Sequence, residues 1–181
     1  SNTLDVDGTL SATVVTSATG GRGGAITFDI TSGTGAATVD STSGLITGIS
    51  AGIVTLVVSS AGDADYNAAT ASQEITIAPI TPTLTIISPN TLDVDGTLSA
   101  VLETSATFGR GGAITFEITA GSGSATVDPD SGLITGVGAG TVTLVASSAG
   151  DADYSAASTS QELTISGITP TLVITSSDTL D

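Results

Sequence analysis

The chain of 181 residues carries a formal net charge of −16, because 18 Asp and Glu side chains face only two cations, Arg22 and Arg110. It contains no Cys, His, Lys, Met or Trp, which excludes zinc and copper sites and the acid–base catalysis that most enzymes perform with His or Lys. We therefore predict a protein that is not an enzyme. The negative charge opposes binding to nucleic acid, and no apolar run reaches the ~18 residues of a membrane-spanning segment. We also predict that the protein binds no nucleic acid and does not insert into a membrane.

The first predicted element is an acidic turn at Asp5, Val6, Asp7, Gly8 and Thr9, which leads into a strand. These residues match the aspartate motif of the haloacid-dehalogenase phosphatases, in which the first Asp attacks phosphorus and the second acts as acid and base. We reject that interpretation because no apolar strand precedes the motif and the Lys used by that family is absent. The motif also recurs 88 residues later, within a second small domain.

Short runs of alternating apolar and polar side chains follow, with the period of two that is typical of strands. Turns rich in Gly and Ser separate the runs. The inward side chains of these runs are, in chain order, Leu10 with Ala12 and Val14, Ile26 with Phe28 and Ile30, Ala37 with Val39, Leu45-Ile46 at the start of a strand, Val54 with Leu56 and Val58, Ile75 with Ile77, and Leu84 with Ile86. The pattern predicts an all-β fold of tandem immunoglobulin-like β-sandwich domains, each with about seven strands, and leaves only residues 67–71 as a candidate helical turn.

The sequence repeats itself with a period of 88 residues. Residues 2–12 recur unchanged as residues 90–100, and about three quarters of all aligned positions are identical. A period of this length corresponds to one small domain in a longer array. We predict repeat 1 at residues 1–79, repeat 2 at residues 80–167, and the first strand of a truncated third repeat at residues 168–181.

These boundaries predict an unpaired edge at one end of the chain and a spare strand at the other. The strand that contains Leu84 and Ile86 should be the first of repeat 2, and repeat 1 lacks its counterpart because it would precede Ser1. The matching residues 172–175 have no domain of their own to join. Besides contacts between neighbouring repeats of the same chain, we therefore predict head-to-tail strand exchange between molecules through residues 169–181.

Arg22 and Arg110 each lie in a Gly-rich loop. In so acidic a chain, each Arg is expected to pair with a nearby carboxylate or with loop carbonyls. The alternative is a ligand-binding module that contacts a glycan or a protein through the Arg22 and Asp63 loops. Clustered surface aromatic residues would favour that alternative, but Phe108 is the only aromatic residue that we expect to be exposed.

Acidic loops could also gather oxygen ligands for calcium, the one cofactor that the composition leaves open. Asp63 and Asp65 place alternate carboxylates on one side of an extended loop, and the acidic turn could add two more. No complete loop of the EF-hand type is present, so solvated acidic loops are the other interpretation. The candidate calcium ligands in the two repeats are Asp5, Asp7, Asp63, Asp65, Asp93, Asp95, Asp151 and Asp153.

Residues 37–56 show a further pattern, which residues 125–144 repeat. It consists of an Ala-Thr-Val-Asp strand, a Gly turn, a second strand, and Ala-Gly at the start of a third. This pattern resembles the bacterial Ig-like group 2 family, whose repeats occur in giant bacterial surface adhesins. The acidic, Lys-free and Thr-rich composition resembles adhesins of the gliding type in Bacteroidetes. The resemblance implies an extracellular protein at the bacterial cell surface.

A spacer needs length more than variety, and near-identical domains fit that requirement. The junction at residues 78–82 contains Pro79 and Pro82 without a Gly-Ser run, which predicts a stiff connection. We therefore expect a structural stalk or spacer of a large secreted adhesin or filament, which holds an adhesive tip away from the cell. A start at Ser1 instead of Met is expected for a fragment of such a protein.

Overall fold

The computed structural model describes residues 2–31, 33–106, 110–119 and 121–175. The regular elements in these ranges are all strands, and the predicted all-β, immunoglobulin-like sandwich fold is confirmed. Within the same ranges, no helix has the length and apolar character needed to cross a membrane. Phe108, the aromatic residue that we expect to be exposed, lies outside the described residues. Residues 176–181, which belong to the predicted exchange segment, also lie outside them.

Two compact units make up the chain. Unit 1 comprises Ser1–Thr83, Ser105–Ala113 and Ala149–Ala157, and unit 2 comprises Leu84–Thr104, Ile114–Ser148 and Ser158–Asp181. Unit 1 therefore includes two loops that belong to repeat 2 by sequence. The domain boundaries at residues 79/80 and 167/168, which follow the sequence period, stay predictions.

Over its described residues, unit 1 contains seven strands in two sheets. One sheet has the order β1-β7-β6-β3 and the other has the order β2-β5-β4. The strands are β1 (Thr3–Asp5), β2 (Thr9–Ser11), β3 (Ile26–Thr31), β4 (Ala36–Val39), β5 (Leu45–Ser50), β6 (Gly52–Ser60) and β7 (Ala69–Ala78). Branched aliphatic side chains from both sheets form its core, together with Phe28: Leu4, Val6, Ile46, Val54, Leu56, Ile75 and Ile77 are buried. Because these side chains alternate with outward-facing residues along each strand, they point into the space between the two sheets.

The acidic turn carries the chain from one sheet to the other. Strand β1 runs parallel to β7, and four residues after Asp5 the chain enters β2, which pairs with β5. Asp7 adopts a φ of 60°, and the Gly8 amide donates to the Asp5 carbonyl over 2.9 Å. Gly48 of β5 exchanges backbone hydrogen bonds with Asp7 and Gly8, and a Cβ at Gly48 would lie 2.7 Å from the Asp5 carbonyl oxygen. Gly at position 48 therefore permits the close crossing.

Unit 2 repeats this arrangement and adds one pair of strands. Its sheets have the orders β12-β15-β16-β9, β10-β14-β13 and β11-β8. The strands are β8 (Leu84–Ile86), β9 (Thr91–Asp93), β10 (Thr97–Ser99), β11 (Leu102–Thr104), β12 (Ile114–Thr119), β13 (Ser124–Val127), β14 (Leu133–Gly138), β15 (Gly140–Ser148) and β16 (Ala157–Ser166). Its buried aliphatic core consists of Leu92, Ile134, Val142, Leu144, Leu163 and Ile165. The β8–β11 pair has no equivalent among the described strands of unit 1.

Two details of the sequence interpretation were wrong. The candidate helical turn at residues 67–71 does not form, because residues 67 and 68 are irregular and β7 begins at Ala69. The inward row of Leu10, Ala12 and Val14 does not form one strand, because β2 ends at Ser11 and Val14 is exposed. Without a pairing strand beside it, the backbone at Val14 has no ladder to join.

Replacing Val6 by Ala tests whether the side chain of Val6, which lies within the acidic turn, contributes to the core of unit 1. Val6 is 1% exposed, so removing two carbon atoms should lower the free energy of unfolding by about 2 kcal/mol, from lost burial and the cavity left behind. Val15→Ala is the control, because Val15 is 93% exposed. Urea unfolding followed by far-UV circular dichroism measures both, and equal midpoints for the two variants would contradict the assignment.

Candidate functional site: loops braced by aspartate

Asp63 braces the loop between β6 and β7 with its side chain. One carboxylate oxygen accepts the backbone N–H groups of Asp65 and Tyr66, each over 2.9 Å, and the other accepts the N–H of Gly23 over 2.7 Å. The Asp63 amide donates to the Tyr66 carbonyl over 2.8 Å, which closes the turn. Asp suits this position because its short side chain reaches backbone N–H groups two and three residues onward. The carboxylate thereby ties the β6–β7 loop to the Gly-rich loop.

The Gly-rich loop accepts this contact because it can approach closely. The carbonyl of Gly23 accepts hydrogen bonds from the Gly62 amide and from the Ser60 hydroxyl. Gly24 has a φ of 78°, and a Cβ there would overlap the Gly62 carbonyl. Only Gly satisfies both the backbone conformation and the space, so the loop depends on glycine at position 24.

The equivalent loop of the second repeat also lies in unit 1 and has the same bracing. Asp151 accepts the N–H of Gly111 over 2.7 Å, that of Asp153 over 2.8 Å and that of Tyr154 over 2.9 Å. Because the sequence is repeated, the hydrogen bonds of the first loop predict those of the second. A structural role for the first Asp of each Asp-Ala-Asp-Tyr segment follows from these bonds.

Each Arg pairs with the second Asp of the corresponding segment, as expected for a cation in an acidic chain. Arg22 lies 3.1 Å from the Asp65 carboxylate, and Arg110 lies 3.8 Å from that of Asp153. The two pairs differ in burial, since the Asp65 side chain is 62% exposed and that of Asp153 is 16% exposed. An exposed ion pair contributes little to stability, so the Arg22 pair orders a loop tip more than it stabilises the fold.

Asp153 makes additional contacts inside unit 1. Its carboxylate accepts the N–H of Ala51 over 2.9 Å, and its carbonyl accepts the N–H of Ile80 over 2.9 Å. The Ile80 carbonyl in turn accepts the Ser155 amide over 2.8 Å, and Ile80 and Tyr154 form a parallel bridge. Asp153 therefore holds three segments together: its own loop, the end of β5 and the proline-containing segment after β7.

The bracing hydrogen bonds change the acidity of the carboxyl groups. The N–H of Gly23, followed by that of Asp65, lowers the pKa of Asp63 below its ordinary value. The N–H of Gly111 does the same for the pKa of Asp151. In the turns before β5 and β14, the amide and hydroxyl of the Ser three residues onward lower the pKa of Asp40 and of Asp128. In each case the bonds favour the charged carboxylate.

The candidate calcium ligands are not gathered into one site. Asp5 and Asp93 end strands, and Asp7 and Asp95 occupy turn positions with a φ of 60°. Over residues 2–31, 33–106, 110–119 and 121–175, no three acidic side chains lie close enough to hold a metal ion. Asp63 and Asp151 direct their oxygens at backbone N–H groups, as described above. Calcium ligands and solvated acidic loops stay the two interpretations, and a melting experiment separates them.

Comparisons with known proteins match no family, and the two solved structures described below are distant neighbours. No family model matches the chain, and neither does any curated protein sequence. The fibronectin(III)-like modules of CbhA from Clostridium thermocellum have a TM-score of 0.39 and 15% identity, over 91% of this chain and 88% of that chain. Immunoglobulin domains 1–5 of Sidekick-1 have a TM-score of 0.33 and 16% identity, over 92% of this chain and 37% of that chain. The resemblance to the bacterial Ig-like group 2 family stays a prediction.

Sequence reasoning found the aspartates and arginines of these loops but missed the partners of Asp153. Ala51 contributes a backbone N–H, and Ile80 contributes both backbone groups, so neither residue type signals the contact. The Gly that follows Ala51 and the prolines on both sides of Ile80 were interpreted only as turn and linker signals. The assignment of the Arg22 and Asp63 loops to an external ligand stays a prediction.

Acidification tests the bracing role of Asp63. Because the pKa of Asp63 is lowered in the folded protein, its contribution to stability is present above the ordinary value of 3.8 and is lost as pH falls through the folded pKa. We expect Asp63→Asn to lower the melting temperature near pH 7 and to reduce the further fall between about pH 4 and pH 2. Scanning calorimetry across this range measures both effects.

The control for this experiment is Asp29→Asn, on the exposed face of β3. That variant should follow the parent protein at every pH. An Asp63→Asn variant that also follows the parent would contradict the bracing role.

A second experiment addresses calcium. Thermal melts in excess calcium and in excess chelator should have the same midpoint, because the Asp63 and Asp151 oxygens already accept backbone N–H groups. A ligand that binds only the folded state at 100 times its Kd would add about 2.7 kcal/mol to the free energy of unfolding. A clear upward shift in calcium, reversed by chelator, would therefore establish a calcium site.

Proposed function

We propose that these repeats are a structural spacer of a large secreted bacterial cell-surface adhesin or filament, located outside the cell. Each unit is an immunoglobulin-like sandwich with its own aliphatic core. Such a domain can be repeated in series without new chemistry at each copy. The function of the repeats is then to set a distance from the cell, and the number of copies determines that distance.

The observation that carries this proposal is the set of contacts made by Asp153. A spacer transmits position only if the segments that join its repeats are held in place, and a flexible linker would not do so. In unit 1 the proline-containing segment is bound at Ile80 by two backbone hydrogen bonds, and Asp153 also binds Ala51. The segment between the repeats is therefore part of a folded unit.

Composition gives independent support. Each copy of the chain carries a net charge of −16, so neighbouring copies repel one another. This repulsion keeps a dense layer of such stalks soluble and separated. The carboxylates of the braced loops bind the chain's own backbone, so the acidic side chains have a structural use. The placement in an adhesin rests on the group 2 pattern of residues 37–56 and on the Lys-free composition.

Asp153→Ala tests the spacer proposal. The substitution removes the bond to the Ala51 amide and the Arg110 pair, and it should lower the free energy of unfolding by about 1.5–3 kcal/mol, as for a hydrogen bond to a charged acceptor. Small-angle X-ray scattering of the dilute full chain should also show a broader distribution of interatomic distances. Urea unfolding measures the loss of stability.

The equivalent substitution in the first repeat, Asp65→Ala, is the matched control. It removes the same side chain from an exposed loop tip and should change neither measurement. If both variants scatter like the parent protein, the contacts of Asp153 do not hold the joining segment, and the spacer proposal loses its support.

A further inference from the structure

Two buried polar atoms in unit 2 have no hydrogen-bond partner among the described residues. One is the hydroxyl oxygen of Ser88, a residue that is 5% exposed, and the other is the side-chain oxygen of Gln161. A polar atom that leaves water without gaining a partner lowers stability, and most buried polar atoms in proteins are bonded to protein groups or to ordered water. These two atoms therefore require a partner.

Ser88 lies where the chain of unit 2 changes from one sheet to another. Strand β8 pairs with β11, and just after β8 the Ile87 amide still donates to the Val101 carbonyl over 2.9 Å. Strand β9 then pairs with β16. Between the two strands, Pro89 has no N–H to donate. The polar groups of this crossing segment, residues 88–90, therefore depend on partners outside a regular ladder.

Gln161 of β16 supplies one of these partners. Its Nε2 donates to the Ser88 carbonyl over 3.3 Å. Ser88 and Gln161 are separated along the chain by as many residues as Thr91 and Thr164, which face each other in β9 and β16, so this contact continues the register of the two strands. Because a carbonyl only accepts, the NH2 group of Gln161 must face Ser88, and this orientation identifies the other side-chain atom as the unpartnered oxygen.

We propose that Ser88 and Gln161 form a binding site for one buried water molecule. The two unpartnered atoms belong to residues that are already in contact, yet they do not bond to each other, which is the arrangement that a bridging water satisfies. The water donates one hydrogen to the Gln161 oxygen, and the Ser88 hydroxyl donates to the water or accepts from it. Two polar partners are the minimum that a buried water needs.

The water adds a further link between the crossing segment and β16. The Thr164 amide already donates to the Asn90 carbonyl over 2.8 Å, and Gln161 binds the Ser88 carbonyl. With the water in place, the Ser88 side chain is also tied to β16, so the point at which the chain leaves one sheet for the other is fixed. The contacts of Asp153 play no part in this site, and either proposal can fail without the other.

A high-resolution crystal structure of the full chain tests the site directly. We expect electron density for one water within hydrogen-bond distance of the Ser88 hydroxyl and of the Gln161 oxygen. A Gln161 side chain turned toward solvent, or a Ser88 hydroxyl bonded to another protein group, would show that the proposal is wrong.

Urea unfolding of Ser88→Ala gives an independent test. If a water joins the two side chains, the substitution should reduce the ratio of folded to unfolded protein by about tenfold at a fixed urea concentration, because it removes a hydrogen bond from a buried network. If the hydroxyl has no partner at all, its removal should leave the ratio unchanged or raise it, and that result would overturn the proposal.

A double variant distinguishes one shared water from two separate effects. Gln161→Met removes the carboxamide and keeps the length of the side chain. Ser88→Ala retains the backbone carbonyl that accepts from Gln161, so a coupling between the two substitutions must pass through the Ser88 hydroxyl. With a shared water, the double variant should lose less stability than the sum of the single variants. Additive losses would contradict the shared site.

The matched controls are Ser99→Ala and Gln73→Met. Both residues are exposed strand residues, and Gln73 is the equivalent of Gln161 in the first repeat. Both variants should unfold like the parent protein, and a loss at Ser99 equal to that at Ser88 would mean that the effect is not specific to the site.

The intact mass of the parent protein completes the test. We expect the mass that the sequence requires. A mass lower by one ammonia, restored to the sequence value by Ser88→Ala, would refute the water site, because the Ser88 oxygen would then have displaced the amide nitrogen of Gln161 to form an ester.

Discussion

The fold depends on burying branched aliphatic side chains between two sheets. The chain has no disulfide, and Phe28 is the one aromatic side chain in the described buried cluster that contains Ile46 and Leu56. Ile, Leu and Val must therefore supply the apolar area, and strand alternation is what brings them to one face. Both units meet this requirement with nearly the same residues, since Ile46 and Ile134, or Leu56 and Leu144, occupy equivalent buried positions. The substitutions between copies are concentrated where side chains meet water or turns.

A chain with two cations has few ion pairs with which to order its loops, and its carboxylates bind backbone N–H groups instead. Asp40, Asp63, Asp128 and Asp151 each accept two or more such bonds at a turn. A charged acceptor forms a stronger hydrogen bond than a neutral one, so a short acidic side chain can fix a loop without a partner of opposite charge. Part of the high negative charge of this protein is thereby built into its turns.

The strands and the Asp-Ala-Asp-Tyr loops could be predicted from the sequence because both are local patterns. Alternation identified β3 and β6 with their inward faces. Strand β1 could not be found in this way, because three residues with one buried Leu carry no period and each of them pairs with a residue of β7 that lies 73 positions onward. The contacts of Asp153 with Ala51 and Ile80 were also missed. They use backbone groups, whose partners depend on tertiary structure and not on residue type.

The parallel pairing of β1 with β7 has a mechanical consequence. The two strands lie side by side, with Leu4 opposite Ile77. A pull on the chain before β1 and after β7 draws two parallel strands in opposite directions along their length. The hydrogen bonds between them, including those from Thr76 to Asn2 and from Val6 to Ala78, are then loaded together in shear and do not open one at a time. Tension along the chain therefore loads the sandwich in the direction in which β1 and β7 resist separation most.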